Sequence, residues 1–204
     1  MEESRLILAS TSPYRRELLA RLLVPFRCVH PTFEEIHPAE ASPEEARAIA
    51  LRNARGKVES LREAFPGRLI LGSDQVCECE GRLLGKAGTE ERAVEQLGWL
   101  VGREHRLHTA VALLEATTGA LESEVMTTRL RIRDLSPNQL RAYVRKELPI
   151  DAAGSYYSEG LGIVLFEYLR GDDPTAVIGL PLTLVCRLLE RHGLGPLGET
   201  GPDR

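Results

Sequence analysis

The sequence predicts an α/β fold whose sheet is mixed rather than all parallel. Short apolar runs of strand length alternate with segments that begin with helix caps, which is typical of α/β folds. The alternation is irregular, and residues 108–135 indicate two strands joined by a turn at Thr117–Gly119. Because a hairpin makes its two strands antiparallel, this pattern excludes a doubly wound sheet with only parallel strands.

The first predicted element is a buried strand that leads through a tight turn into a helix. Leu6–Ala9 is an apolar run, and the polar residues 10–12 end it. Ser12 suits the N-cap and Pro13 the first helical position, since a proline lacks the N–H that would stay unpaired there. The helix is predicted to bury one face through leucines at helical spacing: Leu18, Leu19, Leu22 and Leu23.

Three further helices are predicted to begin at the caps Ser42, Thr89 and Ser136. The first covers 42–65 and has a capping box that Glu45 completes, and Gln139 completes the box of the third. Lys57 lies seven residues after Ala50, which predicts a place at the edge of the inward helix face.

Other apolar runs predict strands. Arg68–Val76 indicates a buried strand that ends at 72–74, which would put Asp74 at the rim of a cleft. Gly162–Leu169 is predicted to be another strand. The segment 175–193 then predicts a short strand, a Gly-Leu-Pro turn and a closing helix.

One domain is predicted for residues 1–193, followed by a flexible tail at 194–204 that is rich in glycine and proline. Of the 204 residues, 43% are hydrophobic, and the formal net charge is −4. Such a chain has a substantial core but lacks the basic stripes of nucleic-acid-binding proteins. No nucleic-acid partner is therefore expected. The sequence also has neither a cationic leader nor an apolar run of the ~20 residues that span a bilayer, so we expect no membrane partner and a cytoplasmic location.

The cysteines and histidines do not indicate a zinc site. The four cysteines are scattered, which is typical of reduced thiols, and the five histidines form no cluster. Cys77 and Cys79 fall on one face of a predicted strand and are interpreted as packing residues.

Several charged residues could bind a phosphorylated substrate. Arg15 and Arg16 lie in the first turn of a helix, where positive charge is unfavourable unless an anion binds there. The other candidates are Lys57, Lys86, Glu34, Glu35 and Asp74. Taken singly, each fits an ordinary surface, loop or turn role. Together they match the needs of nucleoside triphosphate hydrolysis, in which cations neutralise phosphates and carboxylates hold a divalent ion.

Pieces of the chain between Leu6 and Gly193 resemble the Maf nucleotide pyrophosphatases, in the family's order. They are LASTSPYRRELL, EE at 34–35, RNARGK, LGSDQV, GKAGT, AYVRKELPIDAAGSYYSEGLG and VIGLPL. The resemblance implies a Maf/ITPase-like fold with two lobes around a long twisted mixed sheet and a central cleft. It also implies hydrolysis of a nucleoside triphosphate to the monophosphate and pyrophosphate with Mg²⁺ or Mn²⁺. The P-loop motif is absent from the sequence.

The resemblance also implies roles for individual residues. Ser10 and Arg15 match the phosphate-contacting turn, and Arg16 ranks below them because family members vary there. Lys57 and Lys86 match two lysine positions of the catalytic site. Glu35 and Asp74 match its two acidic positions, as metal ligands, with Asp74 as the proton acceptor.

Three positions are expected to read the base. Many family members have arginine, threonine and glutamine where this chain has Tyr14, Gln75 and Glu159, and the present trio is similar to the 7-methyl-GTP pyrophosphatase branch. A 7-methylguanine ring is cationic and would stack favourably on Tyr14. An ionised Glu159 only accepts hydrogen bonds and could take the N1–H and exocyclic amine of guanine, whereas the carbonyls of uracil and thymine would repel it.

Two alternatives stay open from the sequence. One is a pyrophosphatase for dTTP/UTP or another noncanonical nucleotide. The other is a non-catalytic nucleotide-binding regulator, since the family is also linked with septum formation, although a pure binder has no need of both Glu35 and Asp74. The sequence leaves the oligomeric state open, with a homodimer as one option.

Overall fold

The strands form one mixed sheet around the long strand β3. A computed structural model describes residues 4–36 and 45–198. Its strands are β1 (Leu6–Ala9), β2 (Phe26–Val29), β3 (Leu69–Cys79), β4 (Arg82–Leu84), β5 (Glu104–Glu115), β6 (Leu121–Ile132) and β7 (Phe166–Arg170). Their order is β2-β1-β3-β5-β6-β7, and β4 pairs with β3. β1 is parallel to β2 and β3 while the other pairs are antiparallel, which confirms the predicted mixed sheet.

The predicted helix caps are confirmed wherever the structure describes them. The α-helices are α1 (Pro13–Ala20), α2 (Ala46–Glu59), α3 (Glu90–Leu100), α4 (Pro137–Glu147) and α5 (Leu182–Arg191). The Ser12 and Thr89 side chains cap α1 and α3, and Ser136 and Gln139 form the complete capping box of α4. The box predicted at Ser42 lies outside the described residues.

Two predicted helix ends are wrong. α1 ends at Ala20, and Leu23, with a positive φ of 57°, is 88% exposed rather than inward. α2 ends at Glu59 rather than near Phe65, because the backbone N–H groups of residues 61 and 62 bond to carbonyls three rather than four positions back. The predicted apolar stripe still packs, since Phe65 contacts the core from the following turns.

Three predicted strand boundaries are also corrected. β3 continues through Asp74 to Cys79 because its ladder with β5 runs unbroken from Leu69 to Glu78, so Asp74 is not at a strand end. Leu161–Leu165 is a 3₁₀ helix, and only Phe166–Arg170 pairs with β6. Ala176–Ile178 is a 3₁₀ helix rather than a short strand, and its carbonyls accept hydrogen bonds from side chains.

The edge of β3 that carries Asp74 is open. β1 accompanies β3 only from Leu69 to Leu71, and β4 pairs with the same strand only from Cys77 onward. The other edge of β3 is covered by β5 throughout this stretch. Within the described residues, therefore, positions 72–76 of β3 border a gap in the sheet.

The core divides into two lobes that share the sheet. In the first lobe, alternate β1 residues enter two clusters: Leu6 and Leu8 pack with α1 and α5, whereas Ile7 and Ala9 pack with α2. The second lobe is a cluster from the far end of β3, β5, β6, α3 and α4, and it includes Cys77 and Cys79. Both cysteines are buried, as predicted for packing residues.

The predicted tail at 194–204 is described only in part. Leu194, the first residue of the predicted tail, packs against the first lobe, and residues 199–204 lie outside the described part.

Among residues 4–36 and 45–198, no helix combines the length and hydropathy needed to cross a bilayer.

Candidate active site

A cavity of about 560 Å³ lies where the two lobes meet. It is lined by nine of the ten predicted site residues: Ser10, Tyr14, Arg15, Glu35, Lys57, Asp74, Gln75, Lys86 and Glu159. Arg16 is exposed and does not line the cavity. Successive helix residues are rotated by about 100°, so α1 brings Arg15 to the cavity and leaves Arg16 on its exposed side.

At the centre of the cavity one ammonium group binds two carboxylates. Lys57 Nζ lies 2.7 Å from Asp74 Oδ1 and 2.9 Å from Glu35 Oε1. It also donates a hydrogen bond of 3.2 Å to the Ser73 carbonyl. The Lys57 and Asp74 side chains are 4% and 8% exposed, whereas that of Glu35 is 54% exposed. The ion pair with Asp74 is therefore buried, and the one with Glu35 faces the open side.

Close packing of α2 on β3 brings Lys57 to Asp74. A Cβ on Gly72 would lie 2.7 Å from Val58 Cγ1 and 2.9 Å from the Ala54 carbonyl oxygen. No side chain fits there, so the glycine allows the helix to lie directly over the strand. This close approach explains how a helix lysine reaches a carboxylate in the middle of a strand.

Asn53 lies one turn before Lys57 on α2 and orients Asp74. It is 2% exposed, and its Nδ2 donates to Asp74 Oδ2 at 3.1 Å. The same side chain accepts from the Ile36 N–H at 3.0 Å and donates to the Ile36 carbonyl at 3.3 Å. Asn53 thus gives the second carboxylate oxygen of Asp74 a donor and holds the loop that carries Glu35.

The charges of the cavity keep Glu35 ionised. Burial alone would raise the pKa of Glu35, but the positive charges of Lys57, Arg15 and Lys86 outweigh it and lower that pKa below its ordinary value. Glu35 is therefore a carboxylate at neutral pH and is able to hold a cation.

The N-terminal end of α1 supplies an anion-binding wall. Arg15 Nε donates to the Gly179 carbonyl at 3.0 Å, which fixes the guanidinium at the cavity. Burial lowers the pKa of Arg15, while Asp74 and Glu35 oppose that shift. Ser10 is buried beside it, and its Oγ accepts from the Ser12 N–H at 3.1 Å. Because the first turn of α1 carries no acidic residue, its positive dipole end is free to bind a phosphate.

Aromatic and polar side chains line the other end of the cavity. The rings of Tyr14 and Tyr157 lie 5.1 Å apart at an angle of 32°. Gln75 Nε2 donates to the Ala176 and Thr109 oxygens at 2.9 Å, so its amide orientation is fixed. Glu159 is exposed at this end. The arrangement can take a flat ring together with hydrogen-bond donors.

The donor set of the cavity fits a hard divalent cation better than zinc. Glu35 and Asp74 offer carboxylate oxygens, and Mg²⁺ commonly binds through one or two carboxylates plus substrate phosphates. In the described part of the chain, no group of three or more His, Cys, Asp or Glu side chains could hold a metal alone. Phosphate oxygens of a substrate would have to complete such a site.

Comparison with known proteins identifies the family. Residues 5–192 match the family described as Maf-like protein. The chain belongs to the Maf family. It is similar to the 7-methyl-GTP pyrophosphatase of Albidiferax ferrireducens, with 42% identity over 196 residues that cover 96% of this chain and 97% of the relative.

Some residues of this Maf cavity were missed by sequence reasoning. Asn53 lies inside the RNARGK piece, four residues before Lys57, and that helical spacing could have revealed it. Tyr157 and Gly179 also lie inside Maf-like pieces, but only the tertiary structure shows that they contact Tyr14 and Arg15.

Proposed function

We propose that the protein is a nucleoside triphosphate pyrophosphatase that hydrolyses 7-methyl-GTP to 7-methyl-GMP and pyrophosphate. The observation that carries the proposal is the joining of Lys57, Glu35 and Asp74 in a cavity that Arg15 also lines. The near full-length similarity to a 7-methyl-GTP pyrophosphatase supports the choice of substrate. Removal of such modified nucleotides would be the biological role.

The chemistry follows from the charges around Asp74. The oxygen of a water molecule attacks the α-phosphorus, and the bond from that phosphorus to the bridging oxygen of pyrophosphate breaks. Asp74, held by Lys57 and Asn53, accepts the proton of the water. Arg15 and Lys86 offset the negative charge that develops on the leaving pyrophosphate.

We also propose that Glu35 and Asp74 bind Mg²⁺ or Mn²⁺ together with phosphate oxygens of the substrate. Such an ion would supply further neutralisation of phosphate charge. Lys57 contacts both carboxylates and keeps them together whether or not the ion is bound.

Recognition of the base is assigned to Tyr14, Gln75 and Glu159. A cationic 7-methylguanine would stack on the Tyr14 ring. Because Gln75 Nε2 is already bonded to the cavity wall, its Oε1 is the group left to accept from the base. Glu159 would accept from the N1–H and the exocyclic amine of guanine.

A pyrophosphate-release assay with a panel of triphosphates tests the proposal. We expect higher kcat/KM for 7-methyl-GTP than for GTP, dTTP or UTP. Tyr14→Ala should narrow the gap between 7-methyl-GTP and GTP by about 2- to 30-fold, the value of a cation–π contact. Tyr14→Phe keeps the ring and serves as the matched control, with the preference retained. Glu159→Gln should raise relative activity on UTP, since glutamine can also donate.

The assay separates the alternatives. If the wild-type protein hydrolysed dTTP or UTP faster than 7-methyl-GTP, the base assignment would be overturned but the pyrophosphatase activity would not. Failure to release pyrophosphate from any triphosphate, with or without Mg²⁺ or Mn²⁺, would favour the nucleotide-binding regulator. The cytoplasmic location and the homodimer stay predictions.

A further inference from the structure

One wall of the cavity is a loop whose carbonyl groups bind both ends of the site. The segment 173–183, called here the 173–183 loop, follows β7 and ends in the first turn of α5, and its residues Val177, Ile178 and Gly179 line the cavity. At the phosphate end, the Gly179 carbonyl accepts from Arg15 Nε at 3.0 Å and from Ser73 Oγ at 2.9 Å.

At the base end, the same loop binds Gln75. The Ala176 carbonyl accepts from Gln75 Nε2 and from Thr109 Oγ1, each at 2.9 Å. The Val177 carbonyl accepts from the same Gln75 nitrogen at 3.2 Å. A shift of the loop would therefore move Arg15 and Gln75 together.

A buried carboxylate holds the ends of this loop together. Asp173 is 2% exposed, and its Oδ1 accepts from the N–H and hydroxyl of Thr175 at 2.7 and 2.5 Å. Its Oδ2 accepts from the N–H and hydroxyl of Thr183 at 2.8 and 2.7 Å. The Thr175 hydroxyl in turn accepts from the Leu182 N–H at 2.8 Å. Four donors thus converge on one carboxylate that does not line the cavity.

We propose that Asp173 is a positioning residue that sets Arg15 and Gln75 at once through the 173–183 loop, without touching the substrate. The proposal rests on the proposed function for its kinetic test. Only an acceptor with two charged oxygens satisfies all four donors. Asp173→Asn places an N–H₂ group against one of the two threonines; its hydroxyl can turn to accept, but its buried backbone N–H is left unpaired, which releases one end of the loop.

The expected effect is large because small displacements matter in an active site. A misplacement of about 1 Å lowers rates by roughly 10²-fold, so kcat/KM of Asp173→Asn should fall by that order at a temperature well below unfolding. Asp172→Asn, an exposed neighbour, is the matched control and should stay within about 2-fold of wild type. Thr183→Val removes one donor only and supplies a milder variant if Asp173→Asn does not fold.

The decisive measurement is a double-variant cycle. If Asp173 acts through Arg15, Asp173→Asn should lower kcat/KM by a smaller factor in the Arg15→Ala background than in wild type, and the remaining factor is the part that acts through Gln75. Likewise, Asp173→Asn should change the ratio of kcat/KM for 7-methyl-GTP to kcat/KM for GTP less in a Gln75→Ala background than in wild type. The proposal would be overturned if the effect of Asp173→Asn stayed as large in both variant backgrounds as in wild type. It would also be overturned if Asp173→Asn folded and kept wild-type kcat/KM.

A second readout separates this proposal from the proposed function. Binding of inorganic pyrophosphate, measured by calorimetry with the same four proteins of the Arg15 cycle, needs no turnover. Weakening by Asp173→Asn that disappears in the Arg15→Ala background supports the positioning role even if wild type hydrolyses none of the triphosphates. Unchanged pyrophosphate affinity in Asp173→Asn would overturn the role at Arg15.

Discussion

The buried ion pair of Lys57 and Asp74 allows a quantitative test of the centre of the cavity. Lys57→Met keeps most of the length and the apolar stem of the side chain but removes its ammonium group. That group bonds two carboxylates and the Ser73 carbonyl. We therefore expect the variant to lose stability as well as turnover.

The magnitude follows from burial. The Asp74 side chain is 8% exposed, and removing one partner of a buried ion pair costs about 3–5 kcal/mol. We expect about 3 kcal/mol, the lower end, because Asn53 still donates to Asp74 and water can reach the carboxylate from the cavity. Glu35 adds little, since its side chain is 54% exposed.

Urea unfolding with linear extrapolation measures this loss. Lys146→Met, at an exposed lysine of α4, is the control and should change the free energy of unfolding by less than about 0.5 kcal/mol. Adding Asp74→Asn to Lys57→Met removes the unpaired charge and should restore most of the loss. A Lys57→Met variant as stable as wild type would refute a buried, energetically significant pair.

Three further predictions concern chemistry, metal and pH. Asp74→Asn should lower kcat by roughly 10²–10⁴-fold while staying folded; near-normal turnover would exclude Asp74 as the base. EDTA should abolish pyrophosphate release without changing the unfolding curve, and full activity after exhaustive chelation would exclude the metal. Burial lowers the pKa of His105 from 6.5 to about 4, so the unfolded chain binds the proton first and stability falls as pH drops from 6.5 towards 4, by up to about 3 kcal/mol. Unfolding free energies at pH 7 and pH 4.5 should differ less for His105→Gln than for wild type; equal pH dependence would contradict this.

Helix starts could be predicted from the sequence, but several element ends could not. Ser12, Thr89 and Ser136 cap their helices because capping depends on residues a few positions apart. Ends depend on tertiary partners: β3 continues to Cys79 because β5 pairs with it, and a local pattern does not contain that partner. The sequence predicts a strand at Ala176–Ile178, where the structure has a 3₁₀ helix, because a short apolar run does not show whether a partner strand lies beside it.

In the candidate site, too, some residues could be predicted from the sequence and others could not. Arg15, Lys57 and Asp74 were predicted because their residue types and the Maf-like pieces point to phosphate chemistry, and the structure brings all three to one cavity. Asp173 carries no such signal, since an aspartate followed by proline resembles an ordinary turn. Its four donors come from Thr175 and Thr183, and the loop they close reaches Gln75, about a hundred residues earlier in the chain.

The position of Asp74 explains how a mid-strand residue can be part of an active site. Sequence reasoning put Asp74 at a strand end because ligands bind beyond the carboxyl ends of parallel strands. The strand that ends there is β1, which stops at Ala9 and leads directly into the Ser10 turn. β3 runs past that point with β5 on one edge, while no strand of the described residues pairs with its other edge from 72 to 76. The rule for the cleft therefore holds for β1, and β3 supplies Asp74 to that cleft from the side, held rigidly by its ladder with β5.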